Sequence, residues 1–307
     1  DSSSGLLKYQ GSIMGTTYKV TVREPNVEIS HSDIFLELDS VNQEMSTYIS
    51  TSFLSNLNKT KEGTWFYASS EFLYVVSYSQ ELCILSGGAF DISVGNLVNV
   101  WEFGPIETYK DPGKDLIERS KAEIGCNSIE IDLINKRVRK VKDVYLDLSA
   151  IAKGFAIDSL AEYLDHLKIE NYLIELGGEL KAKGYKANQI PWLVGIEHPK
   201  MNMNPILTFR TDQFTPFSLA TSGNYRNYKK MSEGIVSHTF DPRKGVTVQN
   251  DLSSVSIISE TAMKADALAT TLHVLGKEEG LKFANQNKLR AIFISTEEDN
   301  FSIYTSK

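Results

Sequence analysis

The chain has 307 residues, 41% of them hydrophobic and 23% charged, with a formal net charge of −7 and two cysteines. That length can bury a sizeable apolar core, and the ordinary composition excludes a disordered or fibrous chain. A net −7 without any Lys/Arg-rich run argues against nucleic-acid binding, no apolar run is long enough to span a bilayer, and Cys83 and Cys126 fit no C-x-x-C or Cys/His metal pattern.

No repeat, low-complexity tract or long linker breaks the chain, so 1–307 reads as one unit, with 1–8 a loose, Ser-rich start of the kind left when a signal segment is removed. Alternation over 17–23 predicts a first strand. A helix follows, capped by Ser32, with Ile34, Phe35, Leu38, Val41 and Met45 on one face and its end near Ser46-Thr47-Tyr48. A second helix runs from about 70 to 85 and stops at Gly87-Gly88; Cys83 on its apolar stripe reads as a buried thiol, a single disulfide being the alternative. The segments 128–133, 137–141 and 144–148 alternate like a meander whose last strand enters a helix at Ala150. Strands are predicted at 172–176, 192–196, 206–209, 217–220, 254–258 and 290–294, with a long helix over about 260–275. Antiparallel strands interrupted by helices define an α+β fold, not a regular βαβ alternation.

Four segments carry chemistry. In Ala265-Asp-Ala-Leu-Ala-Thr-Thr271, Asp266 and Thr270 are four apart and share a helical face, where a carboxylate and a hydroxyl can reach one hard ion such as Mg²⁺. A solvated Asp and a Thr bonded back to its own helix is the alternative. In Tyr145-Leu-Asp-Leu-Ser-Ala-Ile-Ala-Lys-Gly154, a strand meets a helix start, a natural anion site with Lys153 one short turn away; Asp147 and Ser149 as simple caps are the alternative. Gly87-Gly88-Ala89-Phe90-Asp91 sets a ring and a carboxylate after two permissive glycines, with a helix C-cap and core Phe as the plainer reading, and Trp101 reads as a core anchor. Ser237-His238-Thr239-Phe240-Asp241-Pro242-Arg243-Lys244-Gly245 delivers His, Asp, Arg and Lys into a turn, and His is the side chain best suited to proton transfer near neutral pH.

Taken together and in this order, these segments resemble the ApbE family, the FAD:protein FMN transferases. The matching elements are Met14-Gly-Thr-Thr17, Met45-Ser-Thr-Tyr48, Gly88-Ala-Phe-Asp-Ile-Ser-Val-Gly95 with Trp101, and Asp147-Leu-Ser-Ala-Ile-Ala-Lys-Gly154. They continue with Gly177-Gly178, Ala220-Thr-Ser-Gly223 with Tyr225, His238-Thr-Phe-Asp-Pro-Arg-Lys-Gly245 and Ala265-Asp-Ala-Leu-Ala-Thr270. The resemblance implies T-fold-like antiparallel sheets with inserted helices, FAD as substrate in a pocket between lobes, and Mg²⁺ at the pyrophosphate. It makes Asp266, Thr270 and the Ala150 carbonyl the metal ligands. It makes Met14, Tyr48, Ala89, Phe90, Asp91, Asp147, Lys153 and the backbone near Phe240 flavin contacts, with His238 the base and Asp241 the fallback. Asn96, Glu102, Glu179 and Lys244 depart from the usual residues, Glu179 standing where Asn or Asp often follows Gly-Gly.

The implied reaction is attack by an acceptor threonine hydroxyl on the FMN-side phosphorus of FAD, with AMP leaving. FAD pyrophosphatase, with water as nucleophile, is the nearest alternative, and a flavin-binding protein without turnover is the other. The resemblance also implies an acceptor with a Ser/Thr/Gly/Ala-rich flavinylation motif, in a redox-pump subunit or extracytosolic electron carrier. The expected location is extracytosolic in a bacterium, periplasmic or held to the membrane by a lipid on a cysteine ahead of Asp1.

Overall fold

Alternation of buried and exposed side chains at period two builds the centre of the molecule. The computed structural model describes residues 5–23, 28–106, 114–198, 203–213, 216–223, 228–231, 234–237, 239–297 and 300–307. The strands in the first half are β1 (Leu6–Ile13), β2 (Thr16–Arg23), β3 (Phe66–Tyr67), β4 (Ile129–Asp132) and β5 (Arg137–Lys140). Then come β6 (Tyr172–Leu176), β7 (Glu179–Lys183), β8 (Leu193–Ile196), β9 (Leu207–Arg210), β10 (Phe217–Gly223), β11 (Tyr228–Met231) and β12 (Gly234–Ser237). The last are β13 (Phe240–Asp241), β14 (Val246–Thr247), β15 (Leu252–Ser259), β16 (Arg290–Glu297) and β17 (Asn300–Thr305). The helices are α1 (His31–Met45), α2 (Phe53–Lys59), α3 (Ser70–Leu85), α4 (Gly95–Val100), α5 (Lys114–Glu123), α6 (Ala152–His166) and α7 (Ala262–Gln286).

Eight strands form one antiparallel sheet in the order β1-β2-β6-β7-β10-β15-β16-β17. One face carries Val20, Val22, Tyr172, Ile174, Ala220, Val255, Ile257 and Phe293, buried under α1, α6 and α7. The opposite face carries Leu180, Phe217, Leu219, Ile258, Ile292 and Ile294, packed against Trp192, Val194 and Ile196 of the β8–β9 hairpin. Sheet, helices and hairpin make the α+β architecture that the sequence predicts.

Several sequence expectations are corrected. Leu6, Leu7 and Lys8 are not a loose start; they pair with Arg23, Val22 and Thr21. The α1 cap is Ser30, not Ser32: the Ser30 hydroxyl accepts from the Asp33 amide at 3.0 Å while the Asp33 carboxylate accepts from the Ser30 amide at 2.9 Å. Residues 144–148 are not a third meander strand, since β5 pairs with β3 and β4, and Tyr145 instead bridges in parallel to Val94. Val144, Leu146 and Leu148 alternate because they are buried. The long helix changes course at Gly276 (φ 77°) and continues to Gln286.

Cys83 is no free thiol. It is bonded to Cys126, with the Cα atoms 5.5 Å apart and a sequence separation of 43. A loop of that length implies roughly 4 kcal/mol of chain-entropy stabilisation, of which native strain usually leaves about 2–4. Replacing both cysteines by serine is therefore expected to lower the unfolding free energy by about 2–4 kcal/mol in a denaturant titration, with the slope read alongside to detect a changed unfolded state.

Candidate functional site

The site begins where two extended segments run side by side. The Gly95 amide donates to the Tyr145 carbonyl at 3.0 Å and the Asp147 amide to the Ile92 carbonyl at 2.8 Å, so the Ala89–Ile92 turn lies against Asp147. The Asp147 carboxylate accepts from the Ser149 amide at 2.7 Å, a bond within the turn before α6 and not a helix cap, since the α6 N-cap is Ile151 without a side-chain bond, and Asp147 also lines the cavity described below. Two bonds from Ser93, at 2.8 Å from its amide and 2.7 Å from its hydroxyl, hold the Asp91 carboxylate. Burial raises the Asp91 pKa, against the Ser93 bonds and the more distant Lys142 charge.

Helices α6 and α7 then meet at closest range. A Cβ on Gly154 would stand 2.3 Å from the Ala262 carbonyl oxygen, so only glycine allows this approach. At that point the Gly154 amide donates to Asp266 Oδ2 at 3.0 Å. One turn on, the Asp158 carboxylate accepts from the Ala262 and Met263 amides at 3.1 and 2.8 Å, satisfying the start of α7, and from Lys181 Nζ at 2.6 Å. Asp266 is thus buried, not the solvated helix-face group that its spacing leaves open.

Lys153, beside this contact, is held between two carboxylates: Glu179 Oε1 at 3.3 Å and Asp266 Oδ2 at 3.9 Å. Burial alone would lower its pKa, but Asp266 and Glu179 outweigh burial and keep it above the ordinary lysine value, so the ammonium is charged. Burial raises the Asp266 pKa against the pull of Lys153 and the Gly154 amide. It pushes Glu179 up to about 7, with Asp266 adding to the rise and Lys153 opposing it.

These groups open on a cavity of about 800 Å³, in the upper part of the roughly 300–1,000 Å³ range of ligand pockets. Its parts follow one another by covalent or hydrogen-bonded neighbours. Tyr48, Ala89, Phe90, Phe103 and Phe240 form an aromatic region, with Phe103 and Phe240 edge to face at 5.8 Å. Asp147, Ser149, Ala150, Lys153, Glu179, Asp266 and Thr270 form a charged middle. Beyond Glu179 come Leu180 and its cross-strand partner Leu219, with Leu173, Leu193, Val194 and Ile196, a second, largely apolar region under β8 that also takes in Glu175 and Glu197.

The structure therefore brings together Tyr48, Ala89, Phe90, Asp91, Asp147, Ala150, Lys153, Phe240, Asp266 and Thr270 on one cavity wall system. Phe90 serves both readings, being 3% exposed in the core while touching the cavity. Tyr48 is 66% exposed and donates to the Phe103 carbonyl at 2.7 Å. The back-bonded threonine of the sequence pair is Thr271, whose hydroxyl donates to the Ala267 carbonyl at 2.8 Å, while Thr270 faces the cavity. An all-oxygen set of Asp266, Thr270 and the Ala150 carbonyl fits a hard divalent cation such as Mg²⁺.

Two expected residues are elsewhere. Met14 is not among the cavity-lining residues; it occupies the β1–β2 turn at φ 51°, beside Gly15 at φ 71°, and packs against the core. Asp241 does not line the cavity either, because Arg243 grips both its oxygens at 2.9 Å and Lys244 approaches to 3.4 Å. Burial raises the Asp241 pKa, but the Arg243 bonds and charge win and hold it below the usual carboxylate value, which makes it a poor base. His238 lies outside the described residues. Sequence reasoning missed Asp158; its signal was the i, i+4 spacing from Gly154, which puts both on the α6 face that meets α7.

Comparison with known proteins bears on the family and the fold. A family model described as "ApbE family" matches residues 14–293. A Vibrio cholerae protein named FAD:protein FMN transferase is 36% identical over 304 residues, covering 96% of this chain and 89% of that protein. A Haemophilus influenzae protein of the same name is 34% identical over 305 residues, covering 96% and 88%. Among solved structures, the flavin transferase ApbE from Vibrio cholerae superposes with a TM-score of 0.89 at 33% identity, covering 99% of this chain and 98% of that one. The apo flavinyl transferase ApbE of Pseudomonas stutzeri gives 0.88 at 30% identity, covering 99% and 95%.

The Gly154 contact makes a direct prediction. Gly154→Ala forces a methyl into the Ala262 backbone, so α6 and α7 must separate and the amide bond to Asp266 lengthens. Stability is expected to fall by roughly 1–3 kcal/mol, as in overpacked cores. A thermal melt reads the loss, and a melt matching the parent's would show that the two helices can yield at this point.

Proposed function

Because the chain belongs to the ApbE family, we propose that it is an FAD:protein FMN transferase, moving the FMN moiety of FAD onto a threonine hydroxyl of an acceptor flavoprotein and releasing AMP. The observation that carries this reading is the order of the cavity: aromatic region, charged middle with Lys153, second apolar region. A dinucleotide has the same order, two flat heterocycles joined by a charged pyrophosphate, and few other small molecules do.

In the proposed reaction the threonine oxygen forms a new P–O bond at the FMN-side phosphorus as the bond to the bridging oxygen breaks. The bridging oxygen departs on AMP, and the hydroxyl proton passes to a base. Asp266, Thr270 and the Ala150 carbonyl would hold Mg²⁺, which supplies neutralisation of pyrophosphate charge when bound. The Lys153 ammonium contributes fixed positive charge where the AMP phosphate gains negative charge. Tyr48, Phe90, Phe103 and Phe240 orient the ring system, and Asp91 offers it a buried acceptor. His238 is proposed as the base, and the Arg243 grip on Asp241 favours it over that fallback.

The acceptor is proposed to carry its threonine in a short Ser/Thr/Gly/Ala-rich segment of a redox-pump subunit or extracytosolic electron carrier, able to thread into the cavity. An extracytosolic location, periplasmic or at the membrane through a lipid anchor, fits the Cys83–Cys126 disulfide, since such bonds persist mainly in oxidising compartments.

Asp266→Asn keeps a group able to accept the Gly154 amide and removes the charge. Transfer is expected to fall by at least roughly 10²- to 10³-fold, with EDTA reproducing the loss in the parent and the thermal melt nearly unchanged. The assay is the mass of an acceptor peptide after incubation with FAD, together with AMP release. Free FMN and AMP with an unmodified acceptor would make the protein a pyrophosphatase, and intact FAD a carrier.

His238→Ala is expected to slow transfer by about 10²- to 10⁴-fold while FAD affinity stays within a small factor. Single-turnover rates and flavin-fluorescence titrations separate the two quantities. Normal turnover with weakened FAD binding would remove His238 as the base and make it a ligand contact.

A further inference from the structure

Glu179 opens β7 directly after Gly177-Gly178, is 6% exposed and lines the cavity. Its Oε1 faces Lys153 Nζ at 3.3 Å, whereas its buried Oε2 has no hydrogen-bond partner among the other described residues, the backbone group near the carboxylate being its own amide. The space around Oε2 is kept open by Gly177, at φ 67°: a Cβ there would lie 3.3 Å from Oε2 and 3.0 Å from the Thr16 methyl. A buried carboxylate oxygen without a donor is unfavourable, and Asp266 beside it adds like charge. Such an oxygen in a cavity wall calls for a donor on what enters the cavity.

The position of Glu179 narrows the donor. It adjoins Lys153 and Asp266, where the proposed reaction puts the pyrophosphate, and a pyrophosphate has no hydrogen to donate. The groups that flank it along FAD are polyols, the ribityl chain on one side and the adenosine ribose on the other. We propose that Glu179 is a ligand-contact residue whose Oε2 accepts from a sugar hydroxyl of FAD next to the pyrophosphate, while Oε1 stays on Lys153. Carboxylates recognise ribose hydroxyls in this way in dinucleotide-binding folds. The Lys153 ammonium, shared with Asp266, offsets the repulsion that a carboxylate would otherwise exert on the neighbouring phosphates. This inference rests on the FAD reading.

The test is a binding titration in EDTA, where turnover is blocked and metal-bound water is absent. The parent and Glu179→Leu are titrated with FAD by flavin fluorescence, and FMN and ADP are measured by displacement. FMN carries the ribityl hydroxyls without the ribose, and ADP the ribose without the ribityl chain. Glu179→Leu is expected to weaken FAD at least about tenfold, and to weaken one of FMN and ADP by a similar factor with the other within about twofold. The weakened fragment identifies the hydroxyl. Equal weakening of both fragments would overturn the proposal, because Glu179 would then act only by holding Lys153 for phosphate. Unchanged FAD affinity would overturn it too. Should Glu179→Leu not fold, Glu179→Ala, which likewise removes the acceptor, is read by the same criteria. A parent that fails to bind FAD sinks the FAD reading as well, whereas a parent that binds it and a variant that binds equally sink this inference alone.

Discussion

The structure turns on the contact between α6 and α7 at Gly154. Because the helix backbones nearly touch there, the Gly154 amide, a first-turn amide of α6 with no partner in its own helix, binds Asp266 Oδ2 at 3.0 Å. The same α6 face presents Asp158 to the first amides of α7, and Lys181 ties Asp158 to β7. One α6 face therefore sets the angle of α7, the rotation of Asp266 and the position of the strand that carries Glu179. Lys153, next to Gly154 in sequence, places its ammonium between the two carboxylates and donates as well to the Ser149 carbonyl at 3.3 Å. Backbone closeness at a single glycine is what assembles a charged centre from three distant segments.

That centre is electrostatically incomplete on its own. Two buried carboxylates share one ammonium, so with both ionised the middle of the cavity carries a net negative charge in a medium where charges a few ångströms apart interact strongly. Lys153 offsets part of the repulsion on a pyrophosphate, and positive charge arriving with the ligand would offset more of it. The upward pKa shifts of Asp266 and Glu179 express the same imbalance from the protein's side, burial being the larger cause for each. The arrangement favours a ligand that arrives as a cation complex over a free anion, in keeping with the proposed Mg²⁺ dependence.

Local pattern made the reactive helix faces legible in the sequence, and tertiary contact made the rest illegible. Asp266 and Thr270 are four apart, Lys153 follows a strand-to-helix junction, and Phe90-Asp91 follows two glycines; each is a short-range signal that survived folding. The sheet strands with clean alternation were readable for the same reason. Ser30 was readable too, through its spacing to Asp33, but a second serine two residues on competes for the cap when only the apolar face is followed. The burial of Asp266, the Asp158 cap and the Glu179–Lys153 pair depend on segments 23 or more residues apart, and no window of sequence contains them. Residues 144–148 misled because burial on one side imitates strand alternation. Met14 sits in a tight turn that holds its backbone at positive φ while its side chain packs against the core, an arrangement no periodicity announces.

The aromatic region owes its shape to ties on the side away from the ligand. The Cys83–Cys126 bond fastens the end of α3 to the segment before β4, and the Gly125 amide donates to the Ser93 hydroxyl at 3.1 Å. That same hydroxyl donates to Asp91 Oδ1, which also takes the Ser93 amide, so both bonds fall on one oxygen and Oδ2 is left for a ligand. A covalent link, a hydroxyl relay and a carboxylate thus run in line from the protein interior to the cavity wall. Glu102 shows the cost of closing the other side: it holds φ 59°, a conformation that disfavours a residue with a Cβ, next to Trp101 at the end of α4. Trp101 and Phe103 on either side of it lean on Phe240, at 6.5 and 5.8 Å between ring centroids, so a strained residue is retained where its neighbours build the aromatic wall. With its back clamped and its side walls packed, this end of the cavity leaves Tyr48, the exposed ring bonded to the Phe103 carbonyl, as the part of the wall most open to an approaching acceptor chain.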